Sequence, residues 1–100
     1  MVQLEIICHI LPHKQTEFIQ AVNDLCDRDL KQKTELYLSI YQDLFDKNCF
    51  CYLEEWDNRK NLDEHIQSER FEMLIGAMKV LGEIQSAEIH EFENAQQLEL

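Results

Sequence analysis

Residues 49–81 read CFCYLEEWDNRKNLDEHIQSERFEMLIGAMKVL, and the hydrophobic period changes within that stretch from strand-like to helical. Cys49 to Leu53 is an unbroken apolar run of aromatic and small side chains, as in a strand covered on both faces. In a regular strand Tyr52 and Trp56, at the strand's end, point to the same face. Asp57 or Asn58 then offers a helix cap, its side-chain oxygen accepting from backbone N–H groups that have no intrahelical partner, and Leu62, His65 and Ile66 share one helical face. Ser68 offers a second cap. Behind it Phe71, Leu74, Ile75, Met78 and Leu81 recur at intervals of three and four, and Gly82 reads as a left-handed residue that ends the helix.

Working upstream, Asp43 to Asn48 is a turn, preceded by Leu36, Leu38 and Ile40 alternating with Tyr37, Ser39 and Tyr41, a second strand. Polar Asp29 to Thr34 makes a connection. Before it, Phe18, Ile19, Val22, Leu25 and Cys26 lie at helical spacing within a helix expected from about residue 13 to 30, with Pro12 at its start. Val2 to Ile10 alternates with the two-residue period of a strand. Downstream, Ile84 to Phe92 is a weaker strand and Glu93 to Leu100 a frayed tail, so residues 1–93 are expected to form one domain and 94–100 a tail.

The order strand, helix, strand, strand, helix pair, strand is the split βαβ pattern of a ferredoxin-like α+β sandwich, a four-stranded antiparallel sheet with its first and third strands central. Helices on one face leave the other bare, and Ile7, Tyr37 and Tyr41 are expected there, so a second copy of the chain is the expected cover.

Composition narrows the partners. A formal net charge of −11 over 100 residues repels nucleic acid and anionic membranes. The apolar start contains Glu5 and has no leading cations, unlike a signal peptide, and no run is long enough to span a bilayer. Cys8, Cys26, Cys49 and Cys51 are read as buried thiols in a reducing cytoplasm.

Tyr41-Gln42-Asp43, Asn48-Cys49-Phe50, Glu54-Glu55-Trp56, Leu62, His65, Ser68 and Phe71 together carry a resemblance. The spacing Glu-x-Trp, five residues, Leu, two, His, two, Ser, two, Phe resembles the antibiotic biosynthesis monooxygenase family. The resemblance implies a dimeric α+β barrel, and relatives that include cofactor-independent monooxygenases acting on quinols and polyphenolic aromatics as well as haem-degrading enzymes. The haem-degrading branch places tryptophan at the position of His65, histidine near Ile75 and asparagine near Ile6 or Ile7, none of which is present. The glycine common before the second strand is replaced by Lys33-Thr34-Glu35.

His65 is the candidate catalytic residue, a histidine able to take a proton from a phenolic hydroxyl. The alternative is a half-buried histidine whose nitrogens satisfy nearby backbone groups. Trp56, Tyr52, Phe71 and His9 are the candidate substrate-binding residues, each also readable as core or rim. Cys49 and Cys51 lie about 7 Å apart along a strand and no Cys-x-x-Cys pair exists, so no metal site is expected. With no phosphate-cradling glycine loop either, no cofactor is expected. A small monooxygenase and a non-enzymatic dimeric binding module remain as the two readings of function.

Overall fold

In the computed structural model, which describes residues 1–29, 35–93 and 96–100, the opening alternation becomes strand β1 (Val2–Ile10). Val2, Leu4, Ile6, Cys8 and Ile10 are buried, and the residues between them are half-exposed. Pro12 opens a separate turn of 3-10 helix (Pro12–Lys14), and helix α1 (Gln15–Asp29) begins only after it, later than the periodicity suggested. The expected connection lies outside the described residues from residue 30 onward. Strands β2 (Glu35–Gln42) and β3 (Cys49–Trp56), helices α2 (Arg59–Ile66) and α3 (Glu69–Leu81), and strand β4 (Gly82–Glu91) complete the chain.

The sheet is antiparallel in the order β2-β3-β1-β4, with β1 and β3 central as the element order predicts. Phe18 and Val22 of α1, Leu62 of α2, and Phe71, Leu74 and Met78 of α3 join the even-numbered side chains of β1 and β3 in one core. Cys49, Cys51 and Leu53 on the opposite face of β3 are only half-buried, because within one chain no layer covers them. The β2–β3 turn is closed by Asp43, whose Oδ1 accepts from the N–H groups of Phe45 at 2.8 Å and Asp46 at 3.1 Å.

Two features of β4 differ from the sequence reading. A bulge lies where Ile7 pairs with Ser86 and the next residue, Cys8, pairs with Ile84, which leaves Gln85 as an extra residue. The bulge reverses the alternation, so Ile84 and Ile89, an odd number of positions apart, both pack on the core. Gly82 is not a left-handed helix terminator: its φ of −177° is extended, and α3 passes directly into β4. Glycine is needed there for space, since a Cβ would fall 1.9 Å from the backbone oxygen of His9 on the paired strand. Because backbone cannot swing aside as a side chain does, Gly82→Ala is expected to cost about 1–3 kcal/mol, read as a lowered Tm. An unchanged Tm would show that the strands close without this contact.

Candidate functional site

The period of two along β3 places Phe50, Tyr52, Glu54 and Trp56 on the helix-covered face, so a carboxylate is carried into the core between two aromatic residues. Glu54 is fully buried, at 0% exposure. Burial of an ionisable group is tolerable only if its hydrogen bonds are replaced. They are replaced here by three side chains. Trp56 Nε1, which can only donate, lies 2.9 Å from Glu54 Oε1. The Tyr52 hydroxyl donates to Oε2, and His65 Nε2 lies 2.9 Å from the same oxygen.

His65 reaches this point because α2 is tightly capped. The Asn58 side chain accepts from the Asn61 N–H at 2.9 Å, which fixes the first turn and turns Leu62 and His65, three residues apart, toward β3. The Ser68 hydroxyl then accepts from the Phe71 N–H at 3.2 Å and starts α3. Through that cap Phe71 meets the His65 ring edge-on, with centroids 5.3 Å apart, while the tilted Trp56 ring lies 4.9 Å from the imidazole. His65 is 5% exposed and Phe71 9%.

The fold thus gathers Tyr52, Trp56, His65 and Phe71 around Glu54, a residue to which the sequence reading gave no role. The signal for it was present: Glu54 stands between Tyr52 and Trp56 at the same two-residue period. His65 Nε2 is bound to a side-chain carboxylate. His9 is not part of this cluster. It sits on the uncovered sheet face at the far end of β1, where Val2 faces Trp56 and His9 faces Cys49, about 23 Å away along the strand. There its Nε2 is 2.7 Å from Asp46 Oδ2, and this hydrogen bond holds the Asp46 carboxyl below its usual range.

Among the grooves on the described surface, three bear on the site. One of about 260 Å³ lies between α1 and β2, lined mainly by Phe18, Ile19, Val22, Ile40 and Phe50. Its floor residue Phe50 shares a strand face with Tyr52, which pairs with the lining residue Ile40. A second groove runs beside Ile66, Ile75 and Lys79, and a third of about 230 Å³ beside His9, Pro12 and Glu83. None of the three is lined by Trp56, His65 or Phe71.

The thiols are poor candidates for nucleophiles. Burial, reinforced by Cys49 and Cys51, pushes the Cys8 thiol up to about 11, and burial also raises Cys49 and Cys51. All three are therefore protonated near neutral pH; of the thiols expected to be buried, Cys8 is, Cys49 and Cys51 are only half-buried, and the Cys26 side chain lies outside the described residues.

A family model described as antibiotic biosynthesis monooxygenase matches residues 1–75. A crystal structure of a conserved protein from Methanosarcina mazei Go1 is 25% identical, covering 89% of this chain and 87% of its own, with a TM-score of 0.78. A conserved protein of unknown function from Bacteroides thetaiotaomicron VPI-5482 is 21% identical, covering 91% of this chain and 96% of its own, at a TM-score of 0.81. The cofactor-independent oxygenase SnoaB from Streptomyces nogalater shares the fold at a TM-score of 0.81, with 10% identity over 94% of each chain. No curated protein matches the sequence.

Proposed function

Since this chain belongs to the antibiotic biosynthesis monooxygenase family, we propose that it is a cofactor-independent monooxygenase acting on a quinol or polyphenolic aromatic, with His65 as proton acceptor. The observation that carries this reading is the hydrogen bond from His65 to the buried Glu54. A carboxylate held on one nitrogen of an imidazole orients the ring and stabilises the cation formed when it takes a proton. Removing a phenolic proton leaves an electron-rich ring, which itself supplies the electrons for reducing oxygen, so no flavin or metal is required by the electron balance.

The groove floored by Phe50 suits one or two aromatic rings in size and lining, being slightly smaller than the usual drug-sized pocket. A ring stacked against Phe18 and Phe50 would direct its hydroxyl along the strand face toward the Tyr52 end, where Glu54 holds His65 through Nε2 and the proton is taken at Nδ1. Trp56 and Phe71 then serve the site by fixing the His65 ring. The test is oxygen consumption by metal-stripped protein against a panel of quinols and polyphenols. Uptake that survives chelation supports the proposal; none across the panel removes it.

The closed packing of Trp56 and Phe71 on His65 favours a second reading, a module of the same fold that binds a hydrophobic molecule or a protein without chemistry. Saturable thermal stabilisation by a quinol, with no oxygen consumed and no product formed, would select it.

Under either reading we place the protein in the reducing cytoplasm, in keeping with the free thiols of Cys8, Cys49 and Cys51, and as a homodimer. No described helix is long and apolar enough to cross a membrane. Pairing would use the uncovered sheet face, where Tyr37 and Tyr41 are about half exposed beside half-buried Ile7, Cys51 and Leu53. A two-fold dimer buries such a patch against itself. Tyr41→Glu, which brings a charge into that contact and repels its symmetry mate, is expected to convert the dimer to monomer by sedimentation at micromolar concentration. A wild-type chain that sediments as a monomer would remove the proposal.

A further inference from the structure

On the uncovered sheet face Glu5 of β1 stands directly opposite Glu88 of β4, and His90 follows two residues later on the same face. Carboxylate oxygens of the two glutamates and a ring nitrogen of His90 lie within 4.8 Å of one another, and His90 Nε2 is 3.4 Å from Glu88 Oε2. The bulge is what assembles this set. Ile84 faces the core, so an unbroken alternation would have turned Ser86, Glu88 and His90 inward with it; the extra residue Gln85 turns them outward instead.

Like charges directly opposite on paired strands repel each other. His90 is the basic side chain placed beside Glu88, and an imidazole offsets the paired carboxylates only when it carries a proton. Glu5, on a central strand, is already half-buried. A cation held by all three side chains would turn the repulsion into coordination.

We infer that Glu5, Glu88 and His90 form a binding site for a divalent first-row transition cation of the Zn²⁺ kind. Two carboxylate oxygens and one imidazole nitrogen are a donor set that such ions accept, while the nitrogen disfavours Mg²⁺ and Ca²⁺, which prefer oxygen alone. Three protein ligands leave a fourth tetrahedral position for water. The site is complete within one chain and lies on the face of the sheet opposite Glu54 and His65, so it holds the β1–β4 ladder together and takes no part in proton transfer.

The test is calorimetric titration of the metal-stripped full chain with Zn²⁺, with Mg²⁺ as comparator and thermal melting alongside. One Zn²⁺ per chain is expected, with a rise in Tm, and with Mg²⁺ binding at least tenfold weaker. Glu5→Gln and His90→Gln should each weaken Zn²⁺ binding at least tenfold, whereas His9→Gln, at the other histidine of this face, should not. Glu5→Gln also relieves the repulsion, so without metal its Tm should equal or exceed that of the unaltered chain while the Zn²⁺-induced rise disappears. Zn²⁺ binding undiminished in both Glu5→Gln and His90→Gln would overturn the site, as would the absence of binding, or loss of binding with His9→Gln.

Discussion

Glu54→Ala is expected to cost about 3–5 kcal/mol, the usual loss when one member of a buried, hydrogen-bonded charged group is removed. In a chain of 100 residues that corresponds to a Tm lower by more than about 10 °C. The carboxylate accepts on both oxygens, from the Trp56 indole, the Tyr52 hydroxyl and His65 Nε2, all in a region closed to water. Truncation leaves these groups without their acceptor, and a void where the side chain stood. Each unmade hydrogen bond at a buried polar group costs about 1–3 kcal/mol, so two already account for much of the loss. Glu54→Gln separates the terms, because it keeps the volume and one accepting oxygen while turning an N–H₂ donor toward groups that also donate. Its Tm should fall between those of Glu54→Ala and the unaltered chain. If Glu54→Ala melted within a few degrees of wild type, the three donors would have found other partners and the cluster would not be a structural node.

The motif that carried the family resemblance is, in physical terms, a description of this node. Glu-x-Trp sets both side chains on one strand face, Leu62 and His65 share a helical face, Ser68 starts the next helix, and Phe71 closes on the imidazole. Each relation spans a few residues and follows from strand or helix period, so element order, central strands and the gathering of Tyr52, Trp56, His65 and Phe71 were legible. The role of Glu54 was obscured by its chemistry, since glutamate is rarely buried and composition argues for the surface. Its place between Tyr52 and Trp56, and at the head of the Glu-x-Trp spacing, argued otherwise.

What depended on contacts across strands could not be read along the chain. Gly82 looks like a helix terminator because glycine after an apolar periodic run usually is one. The reason for it here is the His9 carbonyl, which arrives from a strand more than seventy positions earlier. The bulge near Gln85 is equally silent, and without it the alternation of β4 averages out and the strand looks weak. The same parity change conceals that Glu88 and His90 meet Glu5.

The second large effect concerns chemistry. His65→Gln is expected to lower kcat for oxygen consumption with a quinol by about 10²–10⁴, the usual contribution of a positioned general base, with KM nearly unchanged. Glutamine retains a donor for Glu54 Oε2 and much of the ring's volume, so the variant should stay folded and still bind substrate in the groove floored by Phe50. A purely structural histidine predicts a different pattern, with Tm and KM moving and kcat holding in whatever fraction remains folded. Glu54 acts on the same proton only through His65. Once His65 is glutamine, adding Glu54→Gln should therefore cost little further activity although it still lowers Tm. If the two losses in kcat simply multiplied, the carboxylate would be contributing to turnover by a route that bypasses the imidazole, and the pairing of these two side chains would not be the source of the base.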